Sequence, residues 1–231
     1  MTVINCFDIS KISKSSYDIF YFSCSKERRE KADKFRFFED SIRCILSETL
    51  LQYSIYQLLG HVPNIVIYYN QFGKPYVSNL YNFFYNISHS GKWVVLAYSD
   101  AEVGIDIEKI HFSYDEIPKN FFTTQEAQFI ISASNKTKQA ERFTQIWTLK
   151  ESYTKYYGTG LFTDLKTFSV INSNNEFCDH INPNHIYPQL SSRLFDDNYY
   201  LSLCYNKDIS KINIISLDQL LQFNQIQKNN H

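Results

Sequence analysis

Apolar positions recur at two periods along this chain, and the switches between them mark its elements. Residues 102–108 alternate polar and apolar side chains at period two, which predicts a strand. In residues 39–59 the apolar positions Ile42, Ile45, Leu46, Leu50, Tyr53 and Leu58 follow helical spacing, and Gly60 supplies a stop. A second long helix is predicted over residues 138–157, with Phe143, Ile146, Trp147, Tyr153 and Tyr157 on its apolar side and Gly158 at its end. The charged run 25–38 reads as helix leading into the first long one. Thr123 with Glu126 forms a capping box that opens a helix through about residue 132.

Further strands are expected at 3–9, 65–69, 83–87, 93–98, 167–171, 199–205 and 212–216, with a short helix over 217–223. Residues 71–75 form a turn by their Gly and Pro, and Ser88-His89-Ser90-Gly91 reads as a hairpin connection. The layout repeats: strand, helix and meander precede residue 102, and helix and strands follow it. We therefore expect an α+β fold of two similar halves, 1–102 and 103–231, with a ligand at their junction. No low-complexity linker separates the halves, so a shared interface is expected.

Composition narrows the chemistry. Lys and Arg number 23 and Asp and Glu 24, a net charge of −1, so no global field draws the chain to nucleic acid or a membrane. A polyphosphate ligand would need a local basic cluster. The five cysteines contain no Cys-x-x-Cys pair, which fits a reducing cytosol better than a disulfide framework or a zinc site. The first residues lack a basic segment followed by an apolar run, and no stretch has the length of a membrane span. The expectation is a cytoplasmic protein.

Two segments carry chemistry. On the strand Gly104-Ile105-Asp106-Ile107-Glu108, the two acids project from one face with the isoleucines behind them. On the helix, Glu151 and Lys155 lie four residues apart and share a side. Three carboxylates and a lysine suit a hard divalent cation beside an anion, as Mg²⁺ is bound. Each feature alone has a plainer reading. Asp-x-Glu is usually a solvated edge, Glu151 with Lys155 an ordinary helix pair, Ser88-His89-Ser90 a polar turn, and Arg28 and Lys31 a charged face.

Together and in this order, these motifs resemble the 4′-phosphopantetheinyl transferases of the type that activates surfactin synthetase. The likeness covers residues 20–170. It includes Gly73-Lys74-Pro75, Asn86-Ile87-Ser88-His89-Ser90-Gly91, Gly104 through Glu108, and Trp147-Thr148-Leu149-Lys150-Glu151-Ser152-Tyr153-Thr154-Lys155. It extends to the basic segment 26–34, to Glu39-Asp40 with Arg43, and to Phe121-Phe122 ahead of the helix bearing Glu126. Cys44 stands where the family commonly has a hydroxyl residue, and a thiol is a weak donor.

The resemblance implies a monomer of two α+β halves related by a pseudo-twofold. It implies transfer of the phosphopantetheinyl arm of coenzyme A to a serine of an apo carrier protein, with Mg²⁺ (or Mn²⁺) as cofactor. The metal ligands would be Asp106, Glu108 and Glu151. Coenzyme A would be held by Arg28, Lys31, Arg43, Lys74, Pro75, Ser88, His89 and Lys155. Catalysis would fall to Glu151, Lys155 and His89, with Glu151 as base directly or through a metal-bound water. Lys119, Phe121 and Phe122 are the candidates for touching the carrier. Two other classes fit the acids less well: a metal-dependent nuclease or phosphatase, and a relative that binds without transferring.

Overall fold

In the computed structural model, residues 1–111, 121–178, 181 and 188–229 are described. They build four layers, helix, sheet, sheet and helix. Strand β5 (Trp93–Ser99) shows why: all seven of its residues are buried, so both its faces must be covered. Val94, Leu96 and Tyr98 pack towards helix α3 (Phe38–Leu59). Trp93, Val95 and Ala97 face the second sheet.

The first sheet has the order β4-β5-β1-β9, where β1 is Thr2–Asp8, β4 Phe84–Ser90 and β9 Ile209–Ile214. Strand β1 pairs antiparallel with β5 and parallel with β9, so the far end of the chain supplies an edge strand of the N-terminal sheet. Helix α1 (Lys14–Ser23), α3 and the last helix, Leu217–Asn229, cover its outer face with Phe20, Ile45, Leu50 and Phe223. The second sheet, antiparallel throughout, has the order β6-β8-β7, with β6 Val103–Lys109, β7 Gln189–Phe195 and β8 Tyr199–Tyr205. Between the sheets, Val103, Ile105 and Ile107 meet Ile4, Cys6 and Val95. Helix α4 (Thr124–Ile131) precedes α5 (Lys136–Tyr157), which lies on the outer face of the second sheet through Phe143, Ile146 and Leu149. The final helix is α6. Helix α2 (Lys26–Ala32) packs beside α3, and β2 (Ile67–Tyr69) with β3 (Pro75–Val77) forms a separate hairpin.

Both long helices are 22 residues and end on a left-handed glycine, Gly60 at φ 76° and Gly158 at φ 68°. The Thr123–Glu126 capping box is formed. The expected two-half α+β architecture is present.

Three expectations change. Ser88, His89 and Ser90 lie on β4 itself, and the turn is made by Gly91 and Lys92. Their polar side chains alternate in register with β6, a strand pattern that looks like a loop when its partner is unknown. The charged run is broken at residues 33–37. Residues 167–171 form no strand: a 3₁₀ turn, Leu165–Thr167, leads to a single bridge between Ile171 and Phe177. Three elements went unpredicted. Helix α1 buries only Ser16, Tyr17 and Phe20, strand β7 only Leu190 and the three-residue strand β3 only Val77, too little apolar patterning in any of them to register.

Candidate active site

Helix α5 crosses β6 at very close range, and one residue permits it. A Cβ on Gly104 would overlap the Ser152 carbonyl oxygen and the Tyr156 amide nitrogen. The contact brings Glu151 and Lys155 over the outward residues of β6, Asp106 and Glu108. Gly104→Ala should therefore push the helix off the strand. We expect a lower Tm and a fall in kcat larger than any change in KM, because separation of Lys155 from Asp106 affects the chemistry first. A variant with normal kcat would show that the close approach is dispensable.

Under this crossing lies an open cleft of about 340 Å³, lined by Ile87, Ser88, His89, Asp106, Glu108, Trp147, Glu151 and Lys155. Six residues singled out in the sequence thus meet in one place. The Lys155 Nζ donates to Asp106 Oδ1 at 2.6 Å and to Ser88 Oγ at 3.1 Å. Ser88 Oγ donates to Asp106 Oδ1 at 2.7 Å, and Ser90 Oγ donates to Glu108 Oε2 at 2.7 Å. The acid face of β6 is not solvated: Asp106 is only 3% exposed.

The acids are short of positive charge. Asp106 Oδ2 and Glu151 Oε1 are buried without a hydrogen-bond partner. Desolvation, reinforced by the Asp106 and Glu151 charges, pushes Glu108 up to about 7. Desolvation likewise raises Glu151, and Asp106 adds to the effect against the pull of Lys155. Among the described residues, no three His, Cys, Asp or Glu groups are gathered tightly enough to form a metal cage as they stand. The donor chemistry nonetheless fits a hard cation, since it offers several carboxylate oxygens, two of them orphaned. His89 lines the cleft, its imidazole held below the usual range by desolvation and by the Arg43 and Lys155 charges.

The remaining candidates lie around this centre. Arg43 donates to Asp40 Oδ1 at 2.6 Å and to the Gly91 carbonyl at 2.5 Å, tying α3 to the β4–β5 turn beside His89. Arg28 sits on α2 with Nε 3.3 Å from Glu48 and Nη1 3.9 Å from Cys44 Sγ. Lys31, on the same helix, is exposed. Lys74 is not brought into the cleft. Its ammonium is buried and donates to Glu102 at 2.6 Å, to the Tyr156 carbonyl at 2.8 Å and to the Val103 carbonyl at 3.4 Å. In that position it clamps the end of α5 to the start of β6, and all three of its protons are committed. Pro75, next to it, is half-buried.

Of the carrier candidates, Phe121 is 43% exposed and packs edge-on against Trp147. Phe122 does not face outward: it is 2% exposed and wedged against Phe143 and Trp147. Lys119 lies outside the described residues.

Sequence reasoning missed the ion pair that underlies the site. Lys150 and Glu126 are both fully buried, 2.9 Å apart. Lys150 also donates to the Leu165 and Phe168 carbonyls, each at 2.6 Å, and Glu126 accepts from the Val170 and Thr123 amides, each at 2.9 Å. The sequence carried half the signal, since Glu126 was legible as a cap and Lys150 as the neighbour of Glu151. Nothing in their spacing said that they meet.

Comparison with known proteins agrees with this geometry. The profile of the 4′-phosphopantetheinyl transferase superfamily matches residues 102–204, and that of the 4′-phosphopantetheinyl transferase N-terminal region matches residues 11–102. The two matches meet at residue 102. The chain is 32% identical over 219 residues to the 4′-phosphopantetheinyl transferase Sfp of Bacillus subtilis, covering 91% of this chain and 95% of that one. It is 31% identical over 201 residues to the 4′-phosphopantetheinyl transferase psf-1 of Bacillus pumilus, covering 85% and 86%. A mouse L-aminoadipate-semialdehyde dehydrogenase-phosphopantetheinyl transferase matches at 32% over 154 residues, covering 60% of this chain and half of its own. With both halves matched and the acids, Lys155 and His89 converging on one cleft, the chain belongs to the 4′-phosphopantetheinyl transferase superfamily.

Proposed function

We propose that the cleft between β4, β6 and α5 is the transfer centre of this phosphopantetheinyl transferase, with Asp106, Glu108 and Glu151 as its Mg²⁺ ligands. Members of the superfamily move the 4′-phosphopantetheinyl group from coenzyme A to a carrier protein, and this chain is such an enzyme. The observation that carries the proposal is the pair of buried, unpartnered oxygens, Asp106 Oδ2 and Glu151 Oε1, facing a cleft that also holds Lys155 and His89. Bound there, Mg²⁺ or Mn²⁺ would supply charge neutralisation at the diphosphate. The remaining work belongs to the chain.

Phosphoryl transfer is mainly positioning and electrostatics. Lys155 offers a point charge to the diphosphate, and His89 a directed hydrogen bond. Glu151, raised by desolvation, would take the proton of the carrier serine, directly or through a water, as the serine oxygen bonds to the β-phosphorus. The β-phosphorus–oxygen bond to the leaving group breaks, and adenosine 3′,5′-bisphosphate departs. Arg43, Lys31 and Arg28 form the basic flank for the adenosine phosphates. The exposed edge of Phe121 is the proposed carrier contact. The same reading makes the protein a monomer of the cytosol, and its five free thiols suit a reducing compartment.

The direct test is incubation with coenzyme A, Mg²⁺ and an apo carrier protein. Intact-mass analysis should show one phosphopantetheinyl group added to the carrier. A carrier left unmodified by protein that is folded and binds coenzyme A would point to a binder without transfer.

Lys31 gives a sharper result. It is exposed and away from the reacting atoms, so Lys31→Ala should raise KM for coenzyme A more than it lowers kcat. Discrimination against dephospho-coenzyme A should also weaken. Unchanged discrimination would move the 3′-phosphate elsewhere.

A further inference from the structure

Strands β4 and β6 are edges of different sheets, and between them the backbone ladder is replaced by side chains. Asn86 Oδ1 accepts from the Ile105 amide at 3.1 Å, Ser88 Oγ from the Ile107 amide at 3.3 Å and Ser90 Oγ from the Lys109 amide at 3.0 Å. The rungs advance two residues on each strand, so the strands run parallel and the polar alternation of β4 is what joins them. An edge strand needs its outward amides satisfied, and this ladder satisfies three of them.

The two serine rungs have a second consequence. A hydroxyl has one proton to give. With its lone pair fixed on the Lys109 amide, Ser90 turns that proton to Glu108 Oε2, 2.7 Å away. Ser88 does the same towards Asp106. Asp106 has Lys155 as another anchor, but among the described residues Ser90 is the only hydrogen-bond partner of the Glu108 carboxylate. The Asn86 rung touches no acid.

We propose that Ser90 is a positioning residue: a rung of the β4–β6 side-chain ladder that fixes the Glu108 carboxylate for the divalent cation. The inference rests on the reading of Glu108 as a metal ligand. Residues that orient metal ligands typically account for 10–100-fold in metal affinity, and a hydroxyl held by a backbone amide is rigid enough to act this way.

Asn86 provides the control, because it is the same kind of rung without a carboxylate. Mg²⁺ would be titrated calorimetrically into protein saturated with coenzyme A and without carrier, so that no turnover occurs. Ser90→Ala should weaken Mg²⁺ binding by about 10–100-fold, and Ser90→Thr, which keeps the hydroxyl, should restore it. Asn86→Ala should lower Tm to a similar degree as Ser90→Ala and leave Mg²⁺ affinity within about twofold, because it loses a ladder bond but no ligand contact. Should Ser90→Ala fail to fold, Ser90→Cys keeps the shape with a weak donor and carries the same expectation. The proposal is overturned if Glu108→Ala weakens Mg²⁺ binding while the Ser90 variants lose only Tm, which would make Ser90 a structural rung. If Glu108→Ala itself binds Mg²⁺ normally, the ligand assignment of Glu108 fails first and the role of Ser90 falls with it.

Discussion

Glu126→Gln is expected to destabilise this protein by about 3–5 kcal/mol, the usual consequence of breaking a buried ion pair from one side. For a chain of this size that corresponds to a fall in Tm of roughly 6–20 °C. The substitution preserves the side chain's length and, through its one remaining oxygen, its capacity to cap α4, so it removes the charge together with the Val170 hydrogen bond. What remains is Lys150, fully buried, its ammonium left with only the Leu165 and Phe168 carbonyls. Desolvation already holds that lysine below its ordinary range while Glu126 opposes the shift. The loss should also reach activity, because Lys150 immediately precedes Glu151 and anchors α5 to α4 and to the segment after residue 164. A paired replacement, Glu126→Leu with Lys150→Met, removes both charges and should recover most of the stability. Thermal and urea unfolding of the single and double variants test this. A single variant within 2 °C of the parent would show, at about 2–4 °C per kcal/mol, that the pair contributes little.

That pair also shows where sequence reading stops. Helical periodicity located both long helices, and the period-two run located β6, because each element presents one strongly apolar face to a core. Asp106, Glu108, Glu151 and Lys155 were legible for the same reason: on regular elements, spacing fixes the face. The elements missed were those whose burial is slight, α1, β3 and β7, and those whose pattern is set by a partner. Strand β4 looked like a turn over Ser88, His89 and Ser90 because its polar face answers the amides of β6 and not water. Lys74 was a coenzyme A contact by resemblance alone, since a lysine in a turn does not say where its ammonium goes. Here the turn is pulled under the end of α5, where the Tyr156 carbonyl and Glu102 take the ammonium. Phe122 looked like a partner contact beside Phe121, yet the start of α4 turns one ring outward and the other into the core. In each case the deciding contact is long-range, and no local period encodes it.

The largest effects on function are expected from the three acids, and at Glu151 the sign on stability is opposite to that at Glu126. Asp106→Ala, Glu108→Ala and Glu151→Ala should each lower kcat by on the order of 100-fold or more, since each removes a proposed ligand and not merely its support. Stability should move the other way for Glu151. Its Oε1 is buried with no hydrogen-bond partner, so the fold carries the desolvation of a carboxylate it does not satisfy. Glu151→Gln keeps the shape and removes the charge, and its Tm without divalent cation should equal or exceed that of the parent. Such a trade of stability for activity is expected where a site is built to receive a ligand. Asp106 differs, because Lys155 and Ser88 already satisfy its Oδ1, and Asp106→Ala would strand the lysine. Adding Mg²⁺ with coenzyme A should raise the Tm of the parent by mass action, whereas the acid variants should respond weakly or not at all. The experiment therefore pairs kcat with the Mg²⁺-dependent change in Tm for all three positions. Near-normal kcat in any one variant would remove that residue from the metal site. A Glu151→Gln protein that melts well below the parent would show that this carboxylate supports the fold, contrary to the unpartnered geometry of its oxygen.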